Sequence, residues 1–299
     1  MPELPEVETV RASLEPVLVG RRFAQVEIRD PRLTRPLEPE AVARELVGQR
    51  VEAVARRGKY LIVRFESGLA LLVHLRMTGS FRHARAASPA DEPHARAVVT
   101  LDDGSDVVYR DVRRFGTWLV LDTSELDTYL AARLGEEPLE RAFGPKALGA
   151  RLANRRAPLK AALLDQRTVA GIGNIYVDEA LWRARLHPLR PAGTVEPDEL
   201  RRLHRAIRDA LRMGIRRQGA TLRNYAQPDG RRGSMQDEFR VYGRDGEPCE
   251  RCGTPIEKTR AGGRGTWYCP SCQPLEPRYA AGSSKASSRP SRSRRQSSV

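Results

Sequence analysis

Pro2, Glu3 and Glu6 stand in the opening run Met-Pro-Glu-Leu-Pro-Glu-Val-Glu. Removal of Met1, which a small second residue usually permits, would leave Pro2 with a secondary amine of pKa about 8. Such an amine is partly unprotonated at neutral pH and is a nucleophile that needs no buried lysine. Its attack on a sugar aldehyde carbon gives an iminium, a cation that acts as an electron sink. Glu3 and Glu6 lie within one helical turn and could move protons. The same residues also suit a helix start, with proline in the first positions and glutamate in the first turn. Taken alone, the run leaves both readings open.

A second group is metal-like. Cys249-x2-Cys252 and Cys269-x2-Cys272 form two knuckles separated by 16 residues. Four thiolates at this spacing suit one structural, tetrahedral Zn2+ and leave no open position for a substrate. The zinc would stabilise a β-hairpin too small to fold alone. That hairpin carries Lys258, Arg260 and Arg264 among Gly262, Gly263 and Gly265. Arginine among glycines can approach a phosphate backbone closely, although a solvated polar turn has the same composition.

The chain of 299 residues suggests about two domains and carries 52 Lys+Arg against 38 Asp+Glu, a net charge of +14. Six of those basic residues and one acidic residue lie after position 275, which leaves +9 on the body. A basic body points to a polyanion, most simply nucleic acid. No basic stretch followed by an apolar run opens the chain, and no segment approaches the roughly 18 apolar residues of a membrane span. A cytoplasmic, nucleoid-associated protein is expected, with no membrane partner. There four cysteines are metal ligands rather than disulfides.

Positioning these groups requires at least two kinds of architecture. Residues 5–18 carry Val7, Val10, Leu14, Val17 and Leu18 at helical spacing, and Gly20 follows as a stop. From 22 to about 121 the pattern is strands, among them 22–29, 60–66, 69–75, 95–101 and 117–121, with turns at Gly68 and Asp102-Asp103-Gly104. Helical patterning follows over about 138–222, at 159–166, 175–184 and 197–217. The expected fold is therefore α+β with two domains. Residues 1–125 form an N-terminal helix plus antiparallel β-sandwich. Residues 126–234 form a helical domain, 235–275 a four-cysteine zinc-finger β-hairpin, and 276–299 a basic tail too poor in apolar residues to order itself.

Three further runs complete the pattern: Arg57-Gly58-Lys59-Tyr60, His74-Leu75-Arg76-Met77-Thr78-Gly79 and Gly171-Ile172-Gly173-Asn174-Ile175-Tyr176. With the opening run and the zinc unit, in this order, they closely resemble the bacterial formamidopyrimidine-DNA glycosylase family, which includes the endonuclease VIII branch. The resemblance covers Pro2 to about Gln273. It implies a helix–two-turn–helix DNA-binding motif around Gly171–Tyr176. It also implies a monomeric glycosylase and abasic-site lyase of base excision repair, acting on double-stranded DNA with a damaged base flipped out. Pro2 would be the nucleophile, Glu3 its acid/base partner, and Lys59 the lysine at the lesion that aids β,δ-elimination. Met77 would enter the stack, Arg113 would meet the orphaned base and Phe115 would wedge beside it. Asn174 would bind phosphate at a helix start, with Lys160 a weaker candidate for similar work, and Arg264 would contact the backbone. His74 reads either as a structural histidine ending a strand or as a phosphate or pocket ligand.

The opening run, Met77 and the Arg113/Phe115 pair resemble the branch that removes oxidised purines, and Thr221–Gly233 resembles the loop that covers a flipped purine. Val112 replaces a proline usual in the family, and Met235 stands where an aromatic is common. A DNA-binding protein without activity would use the charge, the helical motif and the zinc hairpin, but has no need of Pro2, Glu3 and Lys59. A zinc-ribbon nucleic-acid chaperone would leave the opening run unexplained.

Overall fold

A computed structural model describes residues 1–84, 92–221, 228 and 230–280. Most of the expected 221–233 loop and the tail beyond 280 lie outside these. Helix α1 (Leu4–Leu18) opens the chain. Eight strands follow: β1 (Phe23–Ile28), β2 (Val51–Arg57), β3 (Tyr60–Phe65), β4 (Leu69–His74), β5 (Gly79–Ala84), β6 (Ala95–Leu101), β7 (Asp106–Asp111) and β8 (Thr117–Asp122). They form two antiparallel four-stranded sheets, in the orders β1-β6-β7-β5 and β2-β3-β4-β8. The sheets face one another across a core that includes Phe23, Phe65, Leu71, Tyr109 and Trp118.

Strand β4 shows how the sequence selects this layering. Its run Leu-Ala-Leu-Leu-Val is apolar without alternation because both faces are covered. Leu71 and Val73 face the sandwich core, while Ala70 and Leu72 pack on Leu126 and Leu130 of α3 (Thr123–Ala131).

The expected strand region contains a helix, α2 (Pro39–Leu46), which buries Val42 and Leu46 one turn apart behind a proline in its first turn. The helical part also begins earlier than the expected 138. At α3, Asp122 accepts the Glu125 amide at 2.8 Å and Glu125 accepts the Asp122 amide at 3.1 Å, a reciprocal cap.

The second half comprises α4 (Pro145–Leu152), α5 (Leu159–Leu164), α6 (Asn174–Ala184) and α7 (Pro197–Arg216). On α7 the buried residues Leu203, Ala206, Ile207, Ala210, Leu211 and Gly214 form a single stripe facing α6. Strands β9 (Glu257–Ala261) and β10 (Arg264–Tyr268) form the hairpin, joined by Gly262 and Gly263 at φ 56° and 75°. Two consecutive positive φ values match the turn whose twist suits a two-residue hairpin. The segment expected to be a structureless tail opens with a helical turn, Pro277–Ala280, where the Arg190 guanidinium lies 5.2 Å from the Tyr279 ring.

Helix α1 ties the halves together. Leu4 is buried in the helical core, whereas Val7, Val10 and Leu14 are buried in the sandwich core.

Candidate active site and nucleic-acid interface

The N-terminus meets the start of α6. The Leu4 amide donates to the Gly171 carbonyl at 3.0 Å, and the buried Glu3 Oε1 accepts the Ile175 amide at 3.0 Å. Two glycines permit this contact. A Cβ at Gly173 would lie 2.2 Å from Glu3 Cδ, and one at Gly171, which has φ 83°, would lie 2.7 Å from Leu4 Cβ. The glycines expected to shape an interhelical turn thus also make room for the first residues of the chain.

Burial raises the Glu3 carboxyl to about 7, against the opposing pull of Lys59. Lys59 is buried in the turn between β2 and β3, and desolvation lowers its pKa while Glu3 and Glu6 oppose the fall. Arg264 is close enough to act on Lys59 in the same direction as burial. Glu6 is an anchor whose role was not legible in the spacing. Its Oε2 accepts the Glu3 amide at 2.8 Å, while Oε1 accepts the Tyr176 hydroxyl at 2.7 Å and the Ala220 amide at 2.8 Å.

Glu137 holds the Lys59 turn in place. It is buried, takes the Gly58 amide, and pairs with Arg56 at 3.0 Å and Arg57 at 3.1 Å. Arg56 also reaches Glu8 of α1 at 2.9 Å. Nothing local in the sequence indicates this network, because Glu137 lies 81 residues from Arg56.

His74 ends β4. Its Nδ1 accepts the Arg76 amide at 3.0 Å and its ring meets Tyr60 edge-on at 4.7 Å. Burial, helped by Arg76 and Lys59, lowers its pKa to about 3. The ring is therefore neutral, and with Nδ1 accepting, Nε2 carries the proton and can donate.

Met77, Arg113 and Phe115 gather on the rim. Met77 is 42% exposed and Phe115 50% exposed, although both are large and apolar. The Arg113 guanidinium donates to Met77 Sδ at 3.0 Å and lies 4.8 Å from the Phe115 ring centre. Beneath them the buried carboxylate of Asp111 accepts the amides of Arg113 at 3.2 Å, Phe115 at 2.8 Å and Gly116 at 2.7 Å, together with the Thr78 hydroxyl. One carboxylate thus organises both exposed loops.

The zinc hairpin is mounted on α5 and α6. Lys160 is fully buried and donates to Asp178 Oδ2 at 2.9 Å and to the Gly265 carbonyl at 2.8 Å. This corrects the expectation that Lys160 contacts phosphate, since the ammonium is enclosed and spent inside the fold. Burial pushes the Asp178 carboxyl up, against the pull of Lys160. Asn174 also donates to the Gly265 carbonyl, at 3.0 Å. Its amide has a second hydrogen, and it lies in the first turn of α6, where free backbone amides can meet an anion. Arg264, the neighbour of Gly265, is exposed at the tip. Met235 is fully buried in the helical core, so at this position packing takes the place of any ligand contact.

The sulfurs of Cys249, Cys252, Cys269 and Cys272 all lie within 4.8 Å of one another. Cys252 is 3.5 Å from Cys269 and 3.5 Å from Cys272, and Cys249 is 4.0 Å from Cys272. Tetrahedral zinc with Zn–S of about 2.3 Å places its sulfurs about 3.8 Å apart, so the donor set fits one structural Zn2+. Trp182 Nε1 donates to Cys249 Sγ at 3.4 Å, as outer partners of metal ligands commonly do. Among the described residues no helix is long and apolar enough to cross a membrane.

Comparison with known proteins gives a consistent result. Residues 1–118 match the formamidopyrimidine-DNA glycosylase N-terminal domain, 134–226 the formamidopyrimidine-DNA glycosylase H2TH domain, and 246–275 the zinc finger found in FPG and IleRS. The formamidopyrimidine-DNA glycosylase of Chloroflexus aggregans is 48% identical over 276 residues, covering 92% of this chain and 99% of that protein. The crystal structure of the MutM (FPG) protein of Thermus thermophilus superposes with a TM-score of 0.82 at 43% identity, covering 92% of this chain and 100% of the other. The Lactococcus lactis FPG superposes at 38% identity over 92% of this chain and 100% of that one. Its TM-score is 0.85 for a mutant bound to Fapy-dG containing DNA and 0.84 for the wild type bound to oxidized pyrimidine containing DNA.

Proposed function

This chain belongs to the formamidopyrimidine-DNA glycosylase family, and from that premise we propose that it is a bifunctional glycosylase and abasic-site lyase of DNA base excision repair. Its substrate is duplex DNA carrying oxidised purines, 8-oxoguanine and formamidopyrimidines. The observation that carries the reading is the burial of Glu3, next to Pro2, against the Ile175 amide with Lys59 acting on it. A buried carboxyl raised toward neutrality beside the residue that becomes the terminal amine once Met1 is lost favours catalysis over DNA binding alone.

In this mechanism, loss of Met1 frees the Pro2 nitrogen. The nitrogen bonds to C1′ as the glycosidic bond breaks, and the base leaves with the bonding pair and a proton. Opening of the C1′–O4′ bond yields the iminium. Glu3, with a pKa near 7, can give a proton and later accept one. Loss of the C2′ proton expels the 3′ phosphate, a second elimination expels the 5′ phosphate, and water releases Pro2. Lys59 assists elimination. Lys59, His74, Asn174 and Arg264 hold the phosphates around the flipped nucleotide. Met77 and Phe115 occupy the opened stack, and Arg113 meets the opposite base, preferring cytosine. Zinc supplies folding energy to the hairpin that presents Arg264 and takes no part in bond breaking. The enzyme works as a monomer in this reading, since one chain supplies both the sandwich and the helical part with its zinc hairpin.

The test is borohydride trapping on an 8-oxoguanine:cytosine duplex beside thymine glycol and undamaged duplexes, with mass mapping of the adduct. A cross-link at Pro2, strongest with 8-oxoguanine, is expected. Stronger trapping on thymine glycol would move the substrate class to pyrimidines. Tight DNA binding without any cross-link, from a chain beginning at Pro2, would exclude the iminium.

A further inference from the structure

Arg114 lies between Arg113 and Phe115 on the rim, and its guanidinium is held by Asp30. Its Nε and a terminal nitrogen meet the two carboxylate oxygens of Asp30 at 2.6 and 2.8 Å. Asp30 is buried, although it follows β1 and lies 84 residues away in sequence. It also accepts the Arg32 amide at 3.1 Å and lies 3.9 Å from Arg96. Arg114 itself is left-handed at φ 58°, a conformation that non-glycine residues seldom adopt and hold only when surroundings enforce it. Asp111 fixes the backbone on either side of Arg114, and Asp30 fixes its side chain.

Two adjacent arginines at one tip pose a problem of specificity. Arg113 is exposed and lies over Phe115. Arg114 lines a cleft of about 620 Å³ together with Arg32, Arg35, Arg76 and Met77, and its guanidinium, if released from Asp30, would be free to reach a backbone phosphate there. A flexible arginine there would bind phosphate irrespective of sequence. The fork-to-fork geometry prevents this, because two donors of the guanidinium fork are committed to one carboxylate.

We propose that Asp30 is a positioning and specificity-determining residue: it withholds Arg114 from the DNA backbone and sets the turn so that Arg113 alone reads the base opposite the lesion. This rests on the reading of Arg113 given above. Asp30 is buried and would act through Arg114 rather than by touching the substrate.

The test compares Asp30→Asn, Arg114→Ala and Arg113→Ala, measuring single-turnover excision of 8-oxoguanine opposite cytosine and opposite adenine, and the salt dependence of binding to undamaged duplex. Asp30→Asn is expected to lower the cytosine-to-adenine rate ratio on the order of tenfold, the lower end of what one bidentate base contact discriminates. It should also steepen the log–log salt slope by about one, the signature of one added phosphate contact. Arg114→Ala should lower the ratio without steepening the slope. Parental ratios in both variants, while Arg113→Ala loses its ratio, overturn the inference and leave the reading of Arg113 standing. A parental ratio in Arg113→Ala overturns both.

Discussion

The Glu3 carboxylate accepts the backbone amide of Ile175 at 3.0 Å, so the first turn of α1 and the first turn of α6 share one buried acid. The chemistry proposed at Pro2 and the phosphate binding proposed at α6 are therefore mechanically one unit, although 172 residues separate the two groups.

Gly173→Ala tests that unit. The added carbon would lie 2.2 Å from Glu3 Cδ, and the Glu3 backbone is fixed from the other side by Glu6. The carboxylate must move. A displacement near 1 Å at a reacting group costs on the order of a hundredfold in rate. Single-turnover excision should fall by about that factor while binding to undamaged duplex changes little. Parental turnover would show that Glu3 need not sit on Ile175.

Glu3→Gln tests the tuning of the acid. A folded-state pKa of about 7, above the ordinary 4.5, means that the native protein holds a proton the unfolded chain releases. The associated stability is fully present below pH 4.5 and is lost as pH rises through 7. Gln mimics the neutral form at every pH. The variant should match the parent at about pH 4.5 and exceed it by about 3 kcal/mol at about pH 8, while excision falls by about a hundredfold or more. Thermal melts across this range check the sign. A gap that closes as pH rises would mean that Glu3 is ionised in the native protein.

Sequence and structure diverge in an instructive way. The cysteine knuckles and the Gly171–Tyr176 turn were legible because their chemistry is local: four thiolates at fixed spacing, and glycines where the chain must pack closely. Lys160 was misread because nothing in Leu-Lys-Ala-Ala-Leu-Leu tells whether a lysine faces water or Asp178 of the next helix. Asp30 and Glu137 carried no signal because each is defined by partners far along the chain, 84 and 81 residues away. Helix α2 hid among strands because only Val42 and Leu46, besides its leading proline, are buried in its eight residues.

Lys160→Met should be costly. It strands Asp178 in the interior and leaves the Gly265 carbonyl with Asn174 as its donor. Removing one partner of a buried pair typically costs about 3–5 kcal/mol, whereas replacing both by apolar groups is often neutral. Lys160→Met with Asp178→Leu should therefore recover most of the stability in denaturant titrations. The double variant should still bind DNA more weakly, because the hairpin carrying Arg264 keeps only the Asn174 part of this mount. Full recovery of binding would separate Arg264 from this pair.

Met77 and Asp111 make opposite predictions for stability and similar ones for function. Met77 is 42% exposed, so Met77→Ala should change stability by less than about 0.5 kcal/mol. It removes only the group proposed to fill the opened stack. Excision from duplex should slow, and fluorescence of a 2-aminopurine placed beside the lesion should report fewer opened duplexes. Asp111→Ala instead leaves the amides of Phe115 and Gly116 and the Thr78 hydroxyl without their acceptor. Each orphaned buried donor costs about 1–3 kcal/mol, so this variant should be clearly destabilised. It should also lose opening of the stack, because Met77 and Phe115 are then no longer held at a fixed separation. Adding Met77→Ala to Asp111→Ala should slow opening little further, since the first change has already displaced the wedge. Fully additive losses would mean that the two loops act independently, and that Asp111 serves the fold rather than the opening of DNA.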